Sequence, residues 1–164
     1  MSRWLWLTIV ILVIIYLSYY TRAITTITIL QTTLGDFQFD MLYEKQPIVI
    51  QDEIADISQV LEAWFPNNAK TVGTLAPAEW VQNRHKYLMI QAQSEGDLYL
   101  VNSSAIMGVD GLPDPQSQAL VGIHLRPGQV VILPFKMRYS PADGFAAATV
   151  GIHDHITGYI GHLL

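Results

Sequence analysis

From Trp4 to Tyr20 the chain reads WLWLTIVILVIIYLSYY, in which only Thr8 and Ser18 are neither aliphatic nor aromatic. A run that is apolar all round, with neither a helical stripe nor a strand alternation, predicts a helix without a solvent-facing side. Its 17 residues make roughly 26 Å of helix, against a bilayer core of about 30 Å. Trp4 and Trp6 lie at one end and Tyr16, Tyr19 and Tyr20 at the other, where aromatic belts meet the two membrane interfaces. The pattern predicts a single-pass transmembrane anchor over residues 1–22, retained because no small-x-small cleavage site follows it. Arg3 stands against Arg22 and Lys45, so the positive charges leave the orientation open.

Beyond the anchor the pattern shortens. Ile24 to Leu34 is rich in β-branched residues and predicts extended structure within a connecting segment, residues 23–44. Pro47 to Ile50 reads as a short buried strand. Asp52 or Asp56 then caps a helix whose apolar positions Ile54, Ile57, Leu61, Trp64 and Phe65 fall three and four apart, and Pro66-Asn67-Asn68 stops it. Tyr87–Gln93 and Leu98–Val101 form a hairpin about the turn at 94–97. Gly108–Gln118 is a loop. Ala119–Leu125, the turn Arg126–Gln129 and Val130–Leu133 follow, then a turn over Tyr139–Gly144 and a strand over Ala146–Ile152. Ile156, Tyr159, Ile160, Leu163 and Leu164 predict a short terminal helix. Short strands spaced by turns place residues 45–164 in the mainly β class, as an antiparallel sandwich or barrel with one or two short helices.

Composition sharpens this reading. Charged residues make up 14% of the 164 and hydrophobic types 51%, against about 25% charged in soluble domains. The apolar excess is local, since the 144 residues beyond the first 20 are about 47% hydrophobic, an ordinary value for one globular domain. The absence of cysteine rules out disulfides, zinc ribbons, iron–sulfur clusters and thiol catalysis. A net charge of −5 with 9 basic residues leaves no electrostatic footprint for nucleic acid. The acids Asp36, Asp40, Glu44, Asp52, Glu53, Asp56 and Glu62 read as a solvated face, while Arg126, Lys136 and Arg138 occupy an acid-free stretch that makes them a candidate partner face.

The order of the pieces resembles the cupin-like group that includes JmjC-type and asparaginyl-hydroxylase domains. The matching residues are Pro47-Ile48-Val49-Ile50, the helix ending Trp64-Phe65-Pro66, and Lys86 to Gln93 with the turn at Gly96 and Leu98-Tyr99-Leu100. The strongest match is Leu125-Arg126-Pro127-Gly128-Gln129-Val130-Val131-Ile132-Leu133-Pro134, which is similar to the family's strand–turn–strand. The resemblance implies a double-stranded β-helix, or jelly roll, over residues 45–155. It also implies Fe(II) held by a His-x-Asp/Glu pair and a distal histidine, with positions left open for 2-oxoglutarate and oxygen. This chain contains no His-x-Asp or His-x-Glu. The slot for the pair reads Glu79-Trp80-Val81-Gln82-Asn83, and Tyr139 stands where the distal histidine belongs. The expectation is an inherited scaffold without the inherited reaction, and no cofactor.

His153-Asp154-His155, with His162 beyond, is the densest cluster of metal-binding types. On a strand His153 and His155 share a face and with His162 would make a metal site. Against that, Asp154 serves as a helix cap and the imidazoles as polar residues near a chain end. His85 and His124 show no partner at ligand spacing. No Gly-x-Ser-x-Gly elbow and no phosphate-cradling glycine loop is present. The expected function is therefore a non-enzymatic, membrane-anchored structural or interaction protein. By resemblance, it belongs among minor capsid or virion components that link an inner membrane to a protein shell, with the bilayer and neighbouring capsid proteins as partners. The alternatives are a membrane-tethered metal-dependent oxygenase with a rearranged site and a barrel that binds a small ligand.

Overall fold

The computed structural model describes residues 3–22, 26–75, 79–102, 104–108, 112–113 and 120–154. Two helices, a 3-10 helix and ten strands make up the described chain. Helix α1 spans Arg3–Thr21, β1 Leu30–Thr32, the 3-10 helix Phe39–Glu44, β2 Ile48–Ile50 and α2 Ile57–Trp64. The remaining strands are β3 (Ala69–Thr74), β4 (Val81–Gln82), β5 (Tyr87–Ala92), β6 (Gly96–Val101) and β7 (Val121–Leu125). After them come β8 (Val130–Pro134), β9 (Arg138–Pro141) and β10 (Ala147–His153).

The strands divide into a six-stranded sheet ordered β1-β2-β8-β5-β10-β3 and a four-stranded sheet ordered β4-β9-β6-β7. From β3 onward the chain passes back and forth between the sheets, an interleaved order consistent with a jelly roll. Between the sheets lies one apolar layer containing Leu88, Ile90, Leu98, Leu100, Leu125, Leu133 and Met137. The outer face of the large sheet carries a second layer, in which Ile48, Ile50, Met89, Ile132 and Ile152 are covered by Leu42 of the 3-10 helix and by Ile57, Val60 and Leu61 of α2. Burial on both faces explains why β2 and β8 read as unbroken apolar runs.

Local chemistry accounts for the joints. The Asp56 side chain accepts from the Ser58 N–H at 2.8 Å and starts α2. Between β7 and β8, Pro127 and Gly128 occupy the centre of a turn closed by Gln129 N–H to Arg126 O at 3.0 Å. Gly128 has φ +85°, as the third residue of a type II turn requires. A side chain there would also meet the Glu53 backbone.

Two parts of the sequence reading change. Arg138–Pro141 is a strand, although Tyr139–Gly144 reads as a turn: pairing with β4 on one side and β6 on the other overrides Ser140 and Pro141. The 3-10 helix, β3 and β4 have no counterpart in the predicted elements. The terminal helix and most of the 108–118 loop lie outside the described residues.

The transmembrane expectation is overturned. Among the described residues, no helix is long and apolar enough to cross a membrane. The physical reason lies at the tyrosine end of α1, which protein groups engage. The Tyr16 hydroxyl donates to Asp154, the Tyr19 hydroxyl donates to Tyr43 O at 2.6 Å, and Lys45 Nζ sits 3.8 Å over the Tyr19 ring. Leu12, Ile15, Tyr16 and Tyr19 line a cavity shared with Trp64, Phe65 and Tyr87. Apart from these contacts the apolar side chains of the helix are largely exposed, Leu12, Ile14 and Ile15 among them. Trp4 and Trp6 are exposed at its far end, and the side chain of Tyr20 lies outside the described residues.

Candidate functional site

The open end of the barrel beside β4 is where the resemblance would place a metal centre. Its framework begins with Asn83, which is buried immediately after β4. Its amide nitrogen donates to Leu133 O at 3.1 Å and Pro134 O at 2.9 Å, and its amide oxygen accepts from the His85 N–H at 2.8 Å. Its backbone exchanges further bonds with Lys136 and Met137. One asparagine thus staples the β4–β5 loop to the β8–β9 turn and orients His85.

His85 meets His153, the last residue of β10. Nδ1 of one and Nε2 of the other are 2.6 Å apart, with the ring planes at 65°. At that separation one imidazole donates and the other accepts, so the pair holds a shared N–H proton in its neutral form. Burial lowers the pKa of His85 below its ordinary value, and His153 lowers it further. Gly151 makes room for the ring: a Cβ there would clash with the His85 imidazole. Beside the pair, Lys86 Nζ and Asp154 Oδ2 form an ion pair at 2.8 Å, and Asp154 also receives the Tyr16 hydroxyl of α1.

A cleft of about 440 Å³ at this end is lined by Trp80, Val81, Gln82, Asn83, Arg84, His85 and Tyr139. β4 and β9 set Val81 directly opposite Tyr139 and Gln82 opposite Arg138. The donor set does not fit ferrous iron. Val81 offers hydrocarbon, and the Gln82 amide donates to Lys136 O at 3.3 Å. Tyr139 is a buried phenol whose pKa is raised by that burial, so it stands as neutral O–H rather than phenolate. Glu79, the acid of the slot, is exposed. Iron of the expected kind wants two imidazoles and a carboxylate on one face, whereas His85 and His153 are bonded to each other and Asp154 is paired with Lys86.

Of the sequence-predicted metal residues, His153 is joined by His85, while His155 and His162 lie outside the described residues. Among the described residues, no group of three or more His, Asp or Glu side chains is placed to hold a metal ion. His85 has a partner after all, 68 positions away. No local spacing carries that signal; it follows only once β5 and β10 pair, with Tyr87 opposite Ile152. His124 also has partners. Nδ1 lies 2.8 Å from Asp97 and Nε2 3.0 Å from Glu95, and these carboxylates raise its pKa, Asp97 most.

Arg126, Lys136 and Arg138 are not gathered into one patch. Arg126 adjoins a second cleft of about 580 Å³ with Gln31, Gln51, His124 and Gln129. Lys136 and Arg138 sit past the other end of the five-residue β8, a strand roughly 16 Å long.

No family model matches the chain, and no curated protein does. Among solved structures it is similar to RmlC from Streptococcus suis in complex with dTDP-D-xylose, at 11% identity and a TM-score of 0.33, over 66% of this chain and 62% of that one. That likeness is too distant to carry an argument about activity. What the strand order shows is a mainly β protein of two sheets and few helices, an arrangement consistent with a cupin-like jelly roll.

Proposed function

We propose that this protein is a non-enzymatic structural or interaction protein, a jelly-roll scaffold that joins other proteins, among them protein layers such as a capsid shell. The observation that carries the reading is the register of β4 on β9. It sets Val81 against Tyr139 at the positions where the resemblance expects iron ligands. A closely filled interior, with Leu98, Leu100, Leu125, Leu133 and Met137 all fully buried, supports a scaffold over a ligand-holding barrel. The exposed apolar residues at the start of α1, with Trp4 at 78%, supply a contact element for a partner with a complementary apolar groove.

The test is direct. Purified after expression with Fe(II) and supplied with 2-oxoglutarate, the protein is expected to retain far less than one iron per chain and to consume no co-substrate. Stoichiometric iron with turnover would overturn the proposal.

A further inference from the structure

Edge strands expose unpaired N–H and C=O groups, and proteins blunt them with shortness or charge. The edges here are β1 and β3 of the large sheet and β4 and β7 of the small one. β1 has 3 residues and β4 has 2. β7 carries His124 between two carboxylates. β3 has neither protection beyond one lysine. Its 6 residues, AKTVGT, contain no proline and run in unbroken register along β10, with every side chain exposed. Among the described residues β3 pairs with β10 alone. Val72 is 79% exposed although Val150, its cross-strand partner, is 3% exposed and belongs to the outer apolar layer. The buried face of the large sheet therefore stops abruptly at this edge.

We propose that β3 pairs antiparallel with β3 of a second copy about a two-fold axis through Val72, joining the two large sheets edge to edge. Side chains alternate between faces along a strand, so a pairing that keeps the outer face continuous must bring like parity to like. Centred on Val72, the register sets Val72 against its own copy, Lys70 against Thr74 and Thr71 against Gly73. The exposed valines then cover each other, and the single charge of the strand meets a hydroxyl instead of a second lysine. Centring on Thr71 would set Lys70 against Val72, a charge over an apolar side chain. The patch is thus self-complementary in one register, as a two-fold interface requires. This inference rests on the interaction reading above, but it uses a surface separate from α1.

The chain has no cysteine, so Val72→Cys introduces its one thiol. Directly opposed strand residues have Cβ atoms about 4.5–5.5 Å apart, and such pairs meet the Cα separations of about 4.4–6.8 Å that a disulfide accepts. Under mild oxidation the full-length Val72→Cys protein is expected to form a covalent dimer at least tenfold faster than Lys70→Cys or Thr74→Cys. A mixture of Lys70→Cys and Thr74→Cys is expected to give the mixed dimer in preference to either homodimer. Circular dichroism checks that all three variants fold. Equal rates for the three, or no cross-link from Val72→Cys, would overturn the two-fold pairing. Iron-dependent turnover would sink the non-enzymatic reading and leave this ranking untouched, so the two failures are distinguishable.

Discussion

Asp97 on the neighbouring strand and Glu95 in the turn just before it hold the two ring nitrogens of His124, whereas His85 faces burial and a second imidazole. The two rings therefore titrate in opposite directions from the ordinary value of 6.5. The signs for stability follow by linkage. His124, with its folded pKa raised, contributes below 6.5, and the contribution is lost as pH rises through the raised folded value. His85, with its folded pKa lowered, contributes above 6.5, and that is lost as pH falls from there through the lowered value. Imidazole NMR titration is expected to place the His124 midpoint above 6.5 and that of His85 below it. Asp97→Asn should bring His124 down further than Glu95→Gln does, because Asp97 is the larger cause. Two midpoints at 6.5 would count against both environments. Neither environment was legible in the sequence, since both rings find their partners across strands.

Among the elements, the β4–β5 loop depends on one side chain. Asn83→Ala removes the donors to Leu133 O and Pro134 O and the acceptor for His85 N–H, all in buried or half-buried surroundings. Leaving buried polar groups unmet costs about 1–3 kcal/mol, and chemical denaturation should read a loss of that order with the slope unchanged. Amide exchange at Lys136, whose N–H donates to Asn83 O, should quicken with it. A variant as stable as the parent would show that the staple is dispensable. The elements differ in how openly the sequence wrote them. β2 and β8 announce themselves because burial on both faces leaves only apolar residues there, and β5 nearly so, with Gln91 its one polar residue. β3 is exposed throughout and β9 contains Ser140 and Pro141, so their strand character comes from the neighbours that pair with them.

For the whole molecule, the question is how α1 is held. Tyr16, Asp154 and Lys86 form a chain from the helix to the ends of β10 and β5. Tyr16→Phe deletes a hydrogen bond to a carboxylate, a class worth about 1.5–3 kcal/mol. Hydrogen exchange over residues 12–19 is expected to speed by about tenfold or more, the factor for about 1.4 kcal/mol, while protection in β5 and β8 stays as it was. Uniform acceleration would mean that the helix and barrel open together.

Local pattern by itself determined the apolar first helix, the capped α2, the Pro-Gly turn and the mainly β class, because each is written in residues close together in the chain. It also determined that no His-x-acid pair exists to grip iron. Only the tertiary structure decided that Val81 opposes Tyr139, that His85 touches His153, and that the tyrosine end of α1 rests on the barrel instead of continuing as a membrane span. Those contacts join residues tens to more than a hundred positions apart, and strand pairing and packing choose among such partners where no short-range spacing can.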